Sequence, residues 1–223
     1  MNFQVFSILE RSEVDLLVSA LSRQTFVDGK VTASGTAREA KNNLQVERAG
    51  PDATDLDQLV LSALRRNEAF QAFAFPKRMM LPIFSCYEPG MQYGWHVDNA
   101  VMGSSNDPMR TDLALTIFLS DPTTYEGGEL VLEMPIGEQE IKLDAGEAIV
   151  YPATTVHRVA PITKGRRLAS VTWVQSAVSD ERLRTILFDM GTANKKVEAT
   201  ADAATVTLLQ KSYHNLLRFA IQL

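Results

Sequence analysis

The residue pattern of this chain predicts a mainly β fold with supporting α-helices: a double-stranded β-helix, or jelly roll, followed by a short C-terminal helical extension. From Met79 to residue 175 the chain breaks into short apolar runs separated by Gly, Pro, Asn and Asp, the mark of many strands and tight turns. Before and after that stretch, apolar residues recur at helical spacing instead. Helices supporting one double-sheet barrel or jelly roll fit this order.

In chain order, Phe3 to Leu9 reads as a strand. Ser12-Glu-Val-Asp15 resembles a capping box, with Val14, Leu17, Val18 and Leu21 as the helix's apolar face and Asp28-Gly29 as its stop. A second helix is predicted after Pro51, capped by Thr54 to Asp57 and buried through Leu56, Leu59, Val60, Ala63 and Leu64. The polar stretch between them holds a strand and a loop that the pattern does not place. Strands follow at 79 to 87, 94 to 98, 111 to 119, 129 to 133, 138 to 143, 147 to 151, 156 to 160 and 166 to 175. Gly127-Gly128 and Asp144-Ala145-Gly146 are turns feeding strands, and Asn99 to Met109, with Gly103, Asn106 and Pro108, reads as an irregular loop serving as lid or connector. From Val178 the period is helical again: Leu183, Ile186 and Leu187 precede Gly191, a connector runs to Ala201, and Leu209, Tyr213, Leu216, Leu217 and Ala220 form a last face. The expected division is 1–177, a barrel domain with core 79–175, and 178–223, the helical extension. The last helix faces pack on the barrel or build a homodimer contact.

Composition limits the function classes. The 223 residues suffice for one core with a small appendage, and 45% hydrophobic with 22% charged residues is ordinary for a globular protein. A net charge of −5 gives no general attraction to nucleic acid or anionic membranes. The single cysteine, Cys86, cannot form an internal disulfide, and its apolar strand setting predicts a buried structural thiol. There is no basic leader with a long apolar run and no span long enough to cross a bilayer, so a cytoplasmic location is expected.

Chemistry concentrates around two of the three histidines. His96 and Asp98 stand two apart on a predicted strand, so both point to one side while Trp95 and Val97 point away. With distant His157 they can supply two imidazoles and one carboxylate, a set that holds non-haem Fe(II) on one face and leaves positions open. Arg167 lies ten positions later (167 − 157). A hairpin turning at Lys164-Gly165 is expected to return it beside the ligands, with a guanidinium fork suited to a carboxylate. Arg166 then faces outward. Trp173, on the same strand face as Arg167, walls the pocket or fills the core. Gly94 permits a close backbone approach or marks a bulge, and His214 reads as a surface or packing residue.

The segment Pro82-Ile-Phe-Ser-Cys-Tyr-Glu-Pro-Gly-Met-Gln-Tyr-Gly-Trp-His-Val-Asp-Asn-Ala100 resembles the core of the Fe(II)/2-oxoglutarate-dependent dioxygenases of prolyl-hydroxylase type. Together with Ala40-Lys-Asn-Asn-Leu-Gln-Val46 and Arg110-Thr-Asp-Leu-Ala-Leu-Thr-Ile-Phe-Leu119, it makes the chain similar to the bacterial PKHD-type hydroxylases over nearly its whole length. The resemblance implies that His96, Asp98 and His157 ligate iron. It also implies that Arg167 takes the 5-carboxylate of 2-oxoglutarate, that Tyr87 contacts the same co-substrate, and that ascorbate serves as reductant. The implied reaction hydroxylates an unidentified small-molecule, peptide or protein substrate with release of succinate and CO2. Competing readings are a cupin-like metal enzyme that does not use 2-oxoglutarate, a non-catalytic jelly-roll sensor or binding module, and a nucleic-acid dioxygenase. Net charge and the lack of a basic-aromatic stripe disfavour the last.

Overall fold

The computed structural model describes residues 3–48 and 53–222. Two antiparallel sheets face each other. The larger runs Gln4–Ser7, Glu147–Pro152, Leu113–Phe118, Arg167–Ser176, Ile83–Tyr87, Leu44–Val46, Phe26–Asp28, with Pro76–Met79 pairing the far end of Arg167–Ser176. The smaller runs Gly137–Ile141, Leu130–Met134, His157–Val159, Gln92–His96, Lys41–Asn42.

Strand Leu113–Phe118 shows how the layers form, because every residue in it is buried. Leu113, Leu115 and Ile117 point out to the helices, where Leu17, Leu21, Val60, Leu64 and Phe70 complete one core. Ala114 and Phe118 point inward to Leu130, Leu132, Tyr151 and Val159 between the sheets. An apolar run with no polar face therefore becomes a central strand covered on both sides.

The N-terminal half departs from the pattern in detail. The first helix is Arg11–Leu21, and its reciprocal cap is two residues earlier than Ser12: the Glu10 amide donates to Glu13 Oε2 at 2.9 Å. It stops at Leu21, well before Asp28-Gly29, which instead opens a short 3-10 turn. The second helix, Ala53–Arg66, contains Thr54 and Asp57 within its first turns, and Asp57 is an ion-pair partner of Arg48. Pro51, the expected breaker ahead of it, lies outside the described residues. Two short helices, Gly35–Ala40 and Glu68–Ala74, carried too few periods to be recognised.

Four strand-level expectations are corrected. The run 79 to 87 is two strands, Pro76–Met79 and Ile83–Tyr87, parted at Pro82, which lacks the N–H a ladder needs. The predicted strand 94 to 98 is Gln92–His96, so Asp98 stands just past the last paired residue. The loop 99–109 is largely a two-stranded hairpin, Val101–Ser104 with Asp107–Arg110, held down where Arg78 pairs with Asp107 at 2.6 Å. Most consequential, His157 and Arg167 are not hairpin partners. His157–Val159 belongs to the smaller sheet and Arg167–Ser176 to the larger. The turn at Lys164-Gly165 does exist: Gly165 has φ +75°, and a Cβ there would sit 2.2 Å from the Thr124 carbonyl oxygen. It carries the chain from one sheet to the other rather than back alongside itself.

At the C-terminus the helices are Glu181–Val197 and Ala203–Ala220. The first continues through Gly191, where a connector was expected; a Cβ there would meet Tyr213 at 3.5 Å, an ordinary contact, so the helix has no packing need for glycine at this position. Val178, Leu187 and Ala220 are buried with Phe75, Leu183, Tyr213, Leu216 and Leu217 packed around them, while Ile186 is exposed. Phe188 also meets Phe73 edge to face, 5.3 Å between ring centres. His214 is exposed.

Candidate active site

His96 and His157 are directly opposite one another on neighbouring strands, and their ring centres are 4.2 Å apart. Nδ1 of His96 is 2.8 Å from the Gly94 carbonyl oxygen, and Nδ1 of His157 is 2.9 Å from that of Thr155. A carbonyl oxygen only accepts, so each ring carries its proton on Nδ1 and turns the Nε2 lone pair the other way. Asp98 completes the group: one ligand atom from each of the three residues lies within 4.8 Å of the others. Trp173 donates its indole N–H to Asp98 Oδ2 at 2.8 Å, fixing one carboxylate oxygen and leaving the other to a cation.

Electrostatics suit a metal. Burial, helped by the neighbouring His157, pushes His96 down to about 3, so its imidazole is neutral and ligand-ready at physiological pH. Burial raises Asp98 above the ordinary carboxylate range, opposed by His157, the Trp173 hydrogen bond and Lys41. A half-buried carboxylate of this kind gains from a cation.

These groups line a cavity of about 750 Å³ that opens between the sheets. Tyr87 is in its wall, and burial raises its hydroxyl to about 12 even with Arg167 nearby, so the phenol stays protonated. Arg167 pairs with Tyr87 in the ladder. It is 1% exposed, with its guanidinium carbon 5.3 Å from the Tyr87 ring centre and 5.1 Å from that of Phe118. Its Nε and Nη2 make no hydrogen bond of good geometry among the described residues, although the Tyr125 hydroxyl lies close by. Buried donors left open this way cost free energy unless something accepts from them. The strand places Arg167 and Trp173 on one face, since its pairing with Leu113–Phe118 and Ile83–Tyr87 runs without a register shift. Arg166 is exposed as expected, its Nε 2.9 Å from the buried Cys86 thiol.

A family model described as the 2OG-Fe(II) oxygenase superfamily matches residues 82–175. A PKHD-type hydroxylase of Saccharophagus degradans is 43% identical over 221 residues, covering 98% of this chain and 98% of the relative. The chain belongs to the PKHD-type hydroxylases. A second such hydroxylase, from Thermosynechococcus vestitus, is 44% identical over 219 residues with 98% of both chains covered. The solved prolyl hydroxylase of Trichoplax adhaerens, in complex with a hypoxia inducible factor peptide fragment, shares the fold at a TM-score of 0.56 and 16% identity, covering 83% of this chain and 86% of that one. This protein is thus an Fe(II)- and 2-oxoglutarate-dependent hydroxylase.

The hydroxylase site also holds residues that the sequence pattern did not single out. Tyr93 stacks on His96 with ring centres 3.6 Å apart. Three residues apart, they would face opposite ways on a regular strand, but the register shifts between the pairs His157↔His96 and Val159↔Tyr93. That bulge spans Gly94, which also lets Ala40 approach to 3.2 Å of a Cβ position. Lys41, opposite Tyr93 in the ladder, is buried in the cavity wall. Asn43, also buried there, lies beside the Tyr87 hydroxyl but outside hydrogen-bonding geometry. No helix among the described residues is long and apolar enough to cross a membrane.

Proposed function

We propose that His96, Asp98 and His157 hold the Fe(II) of this hydroxylase and that Arg167 and Tyr87 hold 2-oxoglutarate, in a catalytic unit spanning residues 1–177 with 178–223 as its helical extension. The observation that supports it best is the pairing of two unmet needs on either side of Tyr87: three convergent ligand atoms in the cavity that Tyr87 lines, and behind its ring a sealed guanidinium with two open donors. The first fits a cation and the second a carboxylate. A cupin-like enzyme without 2-oxoglutarate leaves the buried donors of Arg167 without a purpose.

Bound Fe(II) and 2-oxoglutarate would supply O2 activation: O2 is the oxidant, one of its atoms turning a substrate C–H into C–OH and the other entering succinate as 2-oxoglutarate loses CO2. The chain's own residues hold and shield. The backbone carbonyls of Gly94 and Thr155 fix the two imidazoles, and Trp173 fixes the carboxylate. Arg167 and the protonated Tyr87 present donors to the co-substrate, and the protein around them limits water access.

The substrate is a small molecule or a peptide. A nucleic acid is disfavoured because the two cavity arginines are already paired, Arg48 with Asp57 and Arg78 with Asp107. The lone buried thiol suits a cytoplasmic location. In the face shared by the last two helices Leu187 and Ala220 are buried and Leu183, Tyr213, Leu216 and Leu217 partly buried, which supports packing on the parent chain over a homodimer contact. The test is anaerobic Fe(II) binding by folded His96→Ala, Asp98→Ala and His157→Ala proteins, singly and combined. Each substitution is expected to weaken binding greatly; a folded triple variant that takes one equivalent as tightly as the parent overturns the assignment.

A further inference from the structure

Three cationic side chains line the cavity: Lys41, Arg48 and Arg78. The two arginines have carboxylate partners at 2.6 Å, Asp57 and Asp107. Lys41 does not. It is 6% exposed, more deeply buried than either arginine, and among the described residues no carboxylate lies within ion-pair distance. Its ammonium donates to the Thr32 hydroxyl at 3.0 Å and sits 5.1 Å from the Tyr93 ring centre. Thr32 in turn lies 2.7 Å from Gln45 Oε1. One neutral oxygen and one aromatic face are meagre compensation for a charge taken out of water.

Burial brings Lys41 down to about 8, with Asp98 and Asp28 opposing the fall, so it remains largely a cation at neutral pH. Two of its three ammonium protons have no hydrogen-bond acceptor among the described residues. Asn43, on the same wall, keeps an amide Nδ2 without a partner. Asp98 and Asp28 attract this charge only from beyond ion-pair distance, and Asp98 is held by Trp173 within the metal group, so neither supplies a direct acceptor.

We propose that Lys41 is a specificity residue that pairs with a carboxylate on the hydroxylated substrate. The inference rests on the dioxygenase reading above and deepens it by naming a chemical class. Lys41 faces Tyr93, and Tyr93 stacks on His96, so a carboxylate on the ammonium is held on the His96 side of the metal group. The bond to be oxidised is then a short distance along the substrate from its anionic handle. A single ammonium flanked by a neutral amide balances one negative charge, which suits a carboxylate and leaves a phosphate dianion half uncompensated.

The experiment uses full-length protein loaded with Mn(II) and 2-oxoglutarate without oxygen, so that binding is read without turnover. Ligand-observed NMR and calorimetry follow two probe sets. One is the free L-amino acids, which carry an α-carboxylate; the other is N-acetylated, C-amidated Asp and Glu, which carry only the side-chain acid. Each probe is matched by its carboxamide.

At least one carboxylate probe is expected to bind, with its carboxamide weaker by about tenfold or more, the worth of a charge-assisted hydrogen bond. Lys41→Met and Lys41→Gln are expected to lose the same factor, and Lys41→Arg to recover much of it. Which set binds identifies the source of the carboxylate. The proposal is overturned if no carboxylate is preferred, or if either neutral variant, folded by circular dichroism, binds as tightly as the parent. It is also overturned if those variants lose 2-oxoglutarate instead, which would assign Lys41 to the co-substrate. A parent protein that takes neither Mn(II) nor 2-oxoglutarate sinks the dioxygenase reading alone, and the same titrations on the metal-free chain still decide for or against Lys41.

Discussion

Replacing Arg167 by Met separates what this side chain costs the fold from what it gives the co-substrate. Its Nε and Nη2 are the two open donors, and each charge-assisted hydrogen bond to a carboxylate is worth about 1.5–3 kcal/mol. Taking the lower figure for both gives about 3 kcal/mol, or roughly two orders of magnitude in 2-oxoglutarate affinity. Thermal unfolding in Mn(II) reads this directly. At a 2-oxoglutarate concentration about 100 times its Kd, the parent gains about 2.7 kcal/mol from the ligand. For a chain of this size that is a rise of about 5–11 °C in melting temperature. The same concentration is close to the weakened Kd of Arg167→Met, so its gain falls to about 0.4 kcal/mol, a degree or two.

Without 2-oxoglutarate the order reverses or levels. An uncompensated buried charge costs several kcal/mol, and Met removes that cost. Against this, Met forgoes the cation–π attraction of the guanidinium to Tyr87 and Phe118, worth about 0.5–2 kcal/mol for each ring. The ligand-free variant is therefore expected to melt no lower than the parent. If Arg167→Met keeps more than half of the parent's 2-oxoglutarate-dependent rise, the guanidinium is not the carboxylate fork.

Trp173→Phe removes the donor to Asp98 Oδ2 and should weaken metal binding by about 10- to 100-fold with the fold intact, as measured by competition with a chelator; unchanged affinity would mean the carboxylate needs no such support. In the metal-free protein, His96 stays neutral down to about 3 while an unfolded histidine protonates near 6.5, so unfolding takes up a proton as pH falls below that value. Stability contributed by His96 should accordingly fall toward acid by up to about 1.4 kcal/mol per pH unit. Raised Asp98 acts with the opposite sign, and denaturant titrations of His96→Gln and Asp98→Asn separate the two; a His96→Gln protein with the parent's pH profile would refute the assignment. Truncation before Val178 uncovers Phe73 and Phe75, which pack against Phe188 and the last two helices, and should lower stability or solubility. A truncated chain that melts with the parent would show those helices to be dispensable.

Much of the site was legible because its chemistry is local in sequence or unusual in composition. His96 and Asp98 are two residues apart in a chain with three histidines, and His157 closes a turn-rich strand. A candidate ligand set of that kind is nearly independent of how the strands pair. Central strands such as Leu113–Phe118 could be read as unbroken apolar runs, and the helices Arg11–Leu21 and Ala53–Arg66 from their spacing. The case for Arg167 as a candidate rests on an incomplete reason. Arg167 was expected to return on a hairpin beside His157, yet it crosses to the other sheet and meets Tyr87.

Only tertiary structure decided which strands share a sheet, because two successive strands with the same alternation fit a hairpin and a sheet-to-sheet crossing equally well. It also decided Tyr93, whose odd spacing from His96 argued for opposite faces until a bulge turned both inward. Gly191 behaves in the same way: a glycine reads as a helix stop until packing of Glu181–Val197 against the last helix carries the helix through it. Lys41 lay in a polar stretch with no periodicity, and its burial without a counter-ion exists only once the sheets close around it. Residue type and local spacing thus determined which atoms are available for chemistry, while long-range pairing determined which of them face the same cavity.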